Sequence, residues 1–362
     1  MTIDEITTKP YRVLSLDGGG MRGLYTASLL NTLSDRFGNQ LDVGKGFDLI
    51  VGTSTGSILA AGLVAGIPLP QIINLYRENG AKIFGSPIPN NICLKFIWGL
   101  LHSSRPANGN ELLDRILREV FNDETLGEVY QRRKIGLCIP SVNVSTHKAR
   151  VFKTAHNPKK NADDNRKLSE VCLASSAAPI IFPIAEINDP HTHEAKSYFV
   201  DGGLWANNPV LISLIEALQM SYASQPIEII SIGTCPPPSG AALTSHETKR
   251  GLFGWNFGIK ALELSMDAQA SGYQFIAQFL ADHFITLEKQ IDILRFDQSA
   301  PSSHQEKYLN LDGASEKSCN TLIQLGNADA LEIHGRAISG RDQYKKLIPI
   351  FKSMSTLHSG KQ

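Results

Sequence analysis

The sequence predicts an α/β fold built around a mostly parallel sheet, and three observations carry that prediction. The first 66 residues run strand, glycine-rich turn, helix, strand, glycine-containing turn, helix. The strand candidates are short unbroken apolar runs, the pattern of strands covered on both faces. Hydrophobic residues make up 42% of the 362-residue chain and charged residues 19%, which supplies a large core and excludes a disordered chain.

The elements follow in order. Tyr11–Leu16 reads as a buried strand, and Asp17–Gly23 as the glycine-rich turn after it. Leu24–Phe37 carries apolar residues at Leu24, Ala27, Leu30 and Leu33, the spacing of an amphipathic helix, with Gly38 at its C-cap. Phe47–Val51 is the second strand and Ser57–Ala65 a small, apolar, buried helix. Further on, Ile135–Val144 reads as a strand, Leu168–Ala174 as a helix, and Tyr198–Val200 as a short strand ending in Asp201-Gly202-Gly203. Val210–Tyr222 is an apolar helix and Ile227–Ile232 another buried strand. Asn157–Lys167 and Pro236–Lys249 read as surface loops. The organisation expected is a leader (1–10), a single domain (11–345) with insertions at about 82–110 and 236–258, and a tail (346–362).

Charge and cysteine usage narrow the function classes. Lys+Arg and Asp+Glu each number 35, a balance that argues against a nucleic-acid polymer as partner. The start Met1-Thr2-Ile3-Asp4-Glu5 lacks the basic residues of a signal peptide. The densest apolar stretches, Ser57–Pro70 and Leu94–Leu101, fall short of the roughly 18 residues of a spanning helix. The five cysteines (93, 138, 172, 235 and 319) form no CxxC or Cys/His cluster in sequence. This spacing argues against a structural zinc site or a disulfide framework and for the cytoplasm.

Two turns carry the chemistry. Gly18-Gly19-Gly20-Met21-Arg22-Gly23 matches G-x-G-x-x-G between a strand and a helix, the dinucleotide fingerprint. That reading needs an acidic residue at the end of the next strand, and Asp42 precedes the strand instead. More generally, consecutive glycines let amides converge beside a helix N-terminus, where they bind developing negative charge. The second turn, Gly52-Thr53-Ser54-Thr55-Gly56, is G-x-S-x-G between strand and helix, the setting of a nucleophile elbow. Ser54 as a mere helix cap is the alternative. Together the turns fit acyl transfer, with Ser54 attacking an ester carbonyl and the Gly18–Gly20 amides holding the oxyanion. Arg22 would fix the glycine loop or bind a phosphate, or simply pair with solvent at the helix start.

A serine nucleophile needs a base. None of the ten histidines sits at a glycine-flanked strand end, and His191 and His193 lie in a polar loop. Asp201 ends a strand and precedes Gly202-Gly203, which aims its carboxylate into a turn; the same residues also fit a type I′ Asp-Gly hairpin.

Asp17–Gly23, Gly52–Gly56, Ala174-Ser-Ser-Ala-Ala-Pro179 and Asp201–Gly203, in that order, resemble the patatin-like phospholipase family. The resemblance extends over roughly residues 11 to 345, with Ile293–Phe296 and Leu309–Ala314 similar to the family's closing strand and loop. It implies a three-layer sandwich with helices on both faces of the sheet and a Ser–Asp dyad. Carried onto this chain, Ser54 is the nucleophile and Asp201 the base. Gly18, Gly19 and Gly20 line the oxyanion hole beside Arg22, and Gly23, Gly52, Gly56, Gly202 and Gly203 complete the motifs. No metal and no cofactor is required, and burial is expected to raise the Asp201 pKa.

The resemblance also implies hydrolysis of lipid acyl esters, with membrane phospholipid as partner. More narrowly, the chain is similar to bacterial members of anti-phage signalling systems that a cyclic dinucleotide such as cyclic GMP-AMP switches on. That likeness implies action from the cytoplasm at the inner face of the cell membrane, and it admits a homo-oligomer. Asn91–Leu101 and the aromatic Gly251–Gly258 are candidates for touching a bilayer or packing on the core. A cationic stretch (His147, Lys148, Arg150, Lys153, Lys159, Lys160, Arg166, Lys167) is a candidate for a dinucleotide's phosphates, an anionic membrane or plain solvation. Two other readings stay open at this point: a constitutive acyl hydrolase, and a non-enzymatic nucleotide or lipid sensor.

Overall fold

In the computed structural model, residues 9–87, 98, 101–102, 104–157, 162–189, 195–235, 248–249, 251, 254–255, 258–340 and 342–357 are described. Among them, the strands β1 (Tyr11–Leu16), β2 (Leu49–Gly52), β3 (Gly136–Asn143), β4 (Lys148–Lys153), β5 (Ala185–Asn188), β6 (Lys196–Asp201), β7 (Ile227–Ile232) and β8 (Ile291–Arg295) form one sheet. Its order is β5-β6-β3-β2-β1-β7-β8, with β4 on β3. The β3-β2-β1-β7-β8 stretch is parallel, and β4, β5 and β6 join antiparallel.

The main helices are α1 (Gly23–Phe37), α2 (Thr55–Ala65), α3 (Leu69–Ile83), α4 (Glu111–Phe121), α5 (Leu126–Arg133), α6 (Leu168–Ser176), α7 (Val210–Met220), α8 (Ile259–Ile285), α9 (Glu316–Ser339) and α10 (Leu347–Lys352). Successive strand residues point to opposite faces, and both faces are buried. Leu14, Leu16, Ile50, Leu137 and Ile232 pack with α1, α2, α6 and α9. Val13, Leu49, Val51, Cys138 and Ile229 pack instead with Val210, Leu214 and Ala217 of α7 and Ala277 and Ala281 of α8. The two clusters make the three layers that the motifs imply, and they explain why the central strands read as continuous apolar runs.

β2 starts two residues later than the apolar run suggests. The Asp48 carboxylate, not a strand carbonyl, accepts the Arg12 amide (2.8 Å). Lys148–Lys153, read from sequence only as cationic, is a strand paired along its whole length with β3 from Cys138 to Asn143. Of the Asn91–Leu101 segment only Trp98 and Leu101 are described. Trp98 is buried, its indole N–H donating to Ser86 O (3.3 Å), while Leu101 is exposed. Leu252, Phe253, Asn256 and Phe257 of the Gly251–Gly258 segment, the loop beyond Cys235, and His191 and His193 lie outside the described residues. Among those residues no helix is long and apolar enough to cross a membrane.

Candidate active site

The sheet register brings the two motif strands to one spot. β4 covers one edge of β3 from Cys138 to Asn143, so β2 and β6 must share the other edge. β2 pairs with β3 up to Cys138, and antiparallel β6 pairs from Asn143 back to Ser141, opposite Asp201. The C-terminal ends of β2 and β6 therefore run toward each other, and the residues just past them meet.

Ser54 follows β2 at φ 52°, ψ −129°, a left-handed backbone that a side chain occupies only at a cost of about 1–3 kcal/mol. The turn is held by close packing. A Cβ on Gly52 would lie 2.3 Å from Gly56 O, and one on Gly56 would lie 2.5 Å from Asp17 O. The Ser54 amide donates to Ser175 Oγ (2.9 Å), and Ser175 in turn donates to Pro140 O (2.6 Å). Ser54 occupies the N-cap position of α2, yet its side chain makes no cap bond. Its Oγ donates instead to Asp201 Oδ2 at 2.6 Å.

Asp201 is 4% exposed. Its Oδ1 accepts the Gly203 amide (2.6 Å). Burial raises its pKa to about 6, against the opposing pull of the bonds from Ser54 and Gly203. Gly202 is right-handed (φ −64°, ψ −22°) and opens a helical turn over Gly203–Ala206, so Asp201-Gly202 is not a type I′ hairpin, which needs positive φ.

The glycine loop packs over Ser54 and is pinned from three sides. The Gly18 amide donates to Asn207 O (2.9 Å), Thr234 Oγ1 to Gly18 O (3.3 Å) and the Met21 amide to Leu311 O (2.8 Å). This corrects the expectation for Gly18, whose amide is already engaged. The Gly19 and Gly20 amides have no partner among the described residues, and both residues line the cavity with Ser54 and Asp201. Gly20 sits at φ 57° with Leu311 O 2.2 Å from where a Cβ would be, a position only glycine fills without strain. Beneath the loop, Asp17 is held by a bidentate ion pair to Arg295 (2.9 and 2.5 Å). Arg22 is not at the cavity surface and not in solvent. It is buried, and desolvation lowers its pKa against the attraction of Asp267, Glu263 and Asp17.

A cavity of about 300 Å³ opens from the dyad. Ile58 of α2, Leu75 and Tyr76 of α3, Leu113 of α4 and Ile181 and Phe182 after α6 make one wall apolar. Lys260 and Glu263 of α8, with Asn310 and Asp312, supply polar groups elsewhere in the lining. The site thus combines a serine hydroxyl, a buried carboxylate, two amides without partners and an apolar slot beside them.

Other sequence candidates are engaged elsewhere. Asp42 pairs bidentately with Arg133 (2.8 and 2.7 Å), which leaves the dinucleotide reading without its acidic residue. In the cationic stretch, Arg150 pairs with Asp163, Lys153 with Glu216 and Lys167 with Asp123, while Arg166 donates to Asn188 O. Lys159 and Lys160 lie outside the described residues. Sequence reasoning missed Ser175 and Asn207 as supports of the site. Ser175 does stand inside the Ala174–Pro179 motif, and that is the signal in sequence that points to it.

Residues 14–214 match the model of the family described as patatin-like phospholipase. A protein named cGAMP-activated phospholipase from Pseudomonas aeruginosa is 33% identical over 320 residues, covering 88% of this chain and 87% of its own length. One of the same name from Vibrio cholerae is 32% identical over 338 residues, covering 89% and 90%. The structure of human GIVD cytosolic phospholipase A2 aligns with 98% of this chain and 61% of its own at 11% identity and a TM-score of 0.47. On the family match over more than half its length, this chain belongs to the patatin-like phospholipases and is a hydrolase of ester bonds.

Proposed function

We propose that the chain is a phospholipase of A type that releases fatty acids from membrane phospholipid through Ser54 and Asp201, and that a cyclic dinucleotide such as cyclic GMP-AMP activates it. The carrying observation is the 2.6 Å bond from Ser54 Oγ to Asp201 Oδ2 at a cavity with an apolar wall. The activator rests on the names of the relatives, which cover most of both chains. The thiols Cys138, Cys172, Cys235 and Cys319, none of them in a disulfide, agree with a reducing compartment such as the cytoplasm; action at the inner face of the membrane follows from the substrate proposed. The setting proposed for it is anti-phage signalling.

In this mechanism Ser54 Oγ attacks the ester carbonyl carbon as its proton passes to Asp201 Oδ2. The carbonyl electrons move onto oxygen, and the Gly19 and Gly20 amides receive the oxyanion, each such donor contributing about 2.7–4 kcal/mol in the transition state. The helix N-termini behind both turns favour the same charge. Collapse breaks the C–O bond, and the leaving lysophospholipid alkoxide takes the proton back from Asp201. Water, deprotonated by Asp201, then attacks the acyl-serine carbonyl; collapse breaks the C–Oγ bond, frees the fatty acid and returns the proton from Asp201 to Ser54 Oγ. A base near pKa 6 is ionised at neutral pH yet basic enough to assist, and Gly203 fixes its second oxygen.

The test is fatty-acid release from bacterial phospholipid vesicles, with and without a panel of cyclic dinucleotides, for the wild type and Ser54→Ala. Release with one dinucleotide alone, absent in the variant, is the expected result. Release without any nucleotide overturns the activation and leaves a constitutive acyl hydrolase. Undiminished release by folded Ser54→Ala overturns the dyad.

A further inference from the structure

A second cluster of chemistry-bearing side chains lies on the other face of the sheet, among the core residues beneath α7. Cys138 comes from β3, His156 from just beyond β4, and Glu216 from α7. All three are buried, and their ligand atoms lie within 4.8 Å of one another. Cys138 Sγ is 4.0 Å from His156 Nε2, which is 3.6 Å from Glu216 Oε1. Glu216 is 1% exposed, and Oε1 has no hydrogen-bond partner among the described residues. An unsatisfied buried carboxylate oxygen is costly, and here it faces two further donors.

We propose that Cys138, His156 and Glu216 bind a divalent transition metal, zinc by chemistry, that ties α7 to the sheet. A thiolate, an imidazole and a carboxylate make a zinc set, with three protein ligands leaving one of four positions to another donor. The outer contacts are those a ligand set needs. His156 Nδ1 is 2.8 Å from Thr154 Oγ1, so a proton on Nδ1 leaves the Nε2 lone pair directed at the cluster. Lys153 holds the other oxygen of Glu216. On binding, the Cys138 S–H bond breaks, sulfur donates its electron pair to the metal, and the proton leaves to solvent. In sequence the three residues share no motif, because the β3–β4 hairpin and the α7 crossover bring them together. The cluster stands apart from Ser54 and Asp201, so its test does not depend on turnover.

The experiment measures zinc in protein purified without chelator, then titrates the metal-stripped full chain with cobalt(II). About one zinc per chain is expected, with a thiolate-to-cobalt charge-transfer band on titration. Cys138→Ser should abolish that band. Thr154→Val, which keeps every ligand, should weaken metal binding about 10–100-fold. Trace zinc together with no charge-transfer band in the folded wild type overturns the site, leaving a buried Lys153–Glu216–His156 charge cluster. A band that persists in Cys138→Ser overturns it as well.

Discussion

Ser175 holds Ser54 in place: its Oγ accepts from the Ser54 amide at 2.9 Å and donates to Pro140 O at 2.6 Å. The strained φ of Ser54 is thereby tied to β3, the strand whose register also delivers Asp201. Ser175→Ala would leave a buried N–H without that acceptor, a cost of about 1–3 kcal/mol. The expected result is a lower urea midpoint with an unchanged m-value, and a kcat reduced more than KM is raised. Wild-type stability in this variant would show that Ser175 does not support the turn.

Asp201 sets the pH dependence. Its carboxyl goes from 3.8 to about 6 on folding, so between those values the folded chain holds a proton that the unfolded chain has released. The associated stability is present below the lower value and is lost as pH rises through the upper one, in total about 3 kcal/mol at ~1.4 kcal/mol per pH unit. Activity runs the other way, since only the carboxylate accepts the Ser54 proton: kcat/KM should rise with a midpoint near pH 6. Asp201→Asn should abolish ester cleavage, flatten this part of the stability profile, and melt higher than wild type at pH 8. Melting below wild type at pH 8 would contradict the desolvation argument.

The central strands were legible because both faces are buried and the runs are unbroken; β1 and β7 coincide with the reading and β3 nearly so. β4 was not, because Lys148 is exposed and Arg150 and Lys153 look solvated until Asp163 and Glu216 supply their partners from elsewhere in the fold. The amphipathic helix α4 has Leu113, Ile116, Leu117 and Phe121 at helical spacing, a pattern legible in the sequence alone. Ser54 and the glycine loop were visible because strained turns need particular residues at fixed positions. Asp201 stayed ambiguous until the backbone at Gly202 distinguished helix from hairpin. The engaged Gly18 amide and the burial of Arg22 had no local signature at all, since both depend on segments far along the chain.

The glycine loop depends on a buried charge pair. Arg295→Met would strand the Asp17 carboxylate, 5% exposed, without its bidentate partner. Breaking such a pair costs about 3–5 kcal/mol, whereas replacing both members can be nearly neutral. Arg295→Met should therefore lower the melting temperature sharply, and Asp17→Asn combined with it should recover much of the loss. Additive losses in the double variant would mean that the two residues act independently.

Gly19 and Gly20 are assigned the oxyanion, so a side chain at Gly19 should act on the chemical step. A Cβ there would stand 2.3 Å from Thr234 Oγ1, forcing the loop away from Ser54. Gly19→Ala should lower kcat by about 10²–10³. Gly335→Ala, in α9 with open space around it, serves as the matched control: it should stabilise by up to about 1 kcal/mol with no effect on turnover. An active Gly19→Ala enzyme would move the oxyanion site elsewhere.

The apolar wall should read acyl-chain length. Leu113 lines the cavity from α4, together with Ile181 and Phe182 of the segment after α6. Leu113→Trp fills part of the slot without touching Ser54 or Asp201. Each methylene excluded from it forfeits about 0.8 kcal/mol, roughly fourfold in kcat/KM. The variant should therefore hydrolyse short-chain esters at the wild-type rate and lose ground steadily as the chain lengthens, a trend read from a series of p-nitrophenyl esters. A uniform loss across the series would mean that the substitution disturbs the dyad, and no loss at any length would mean that the acyl chain leaves the site along another wall.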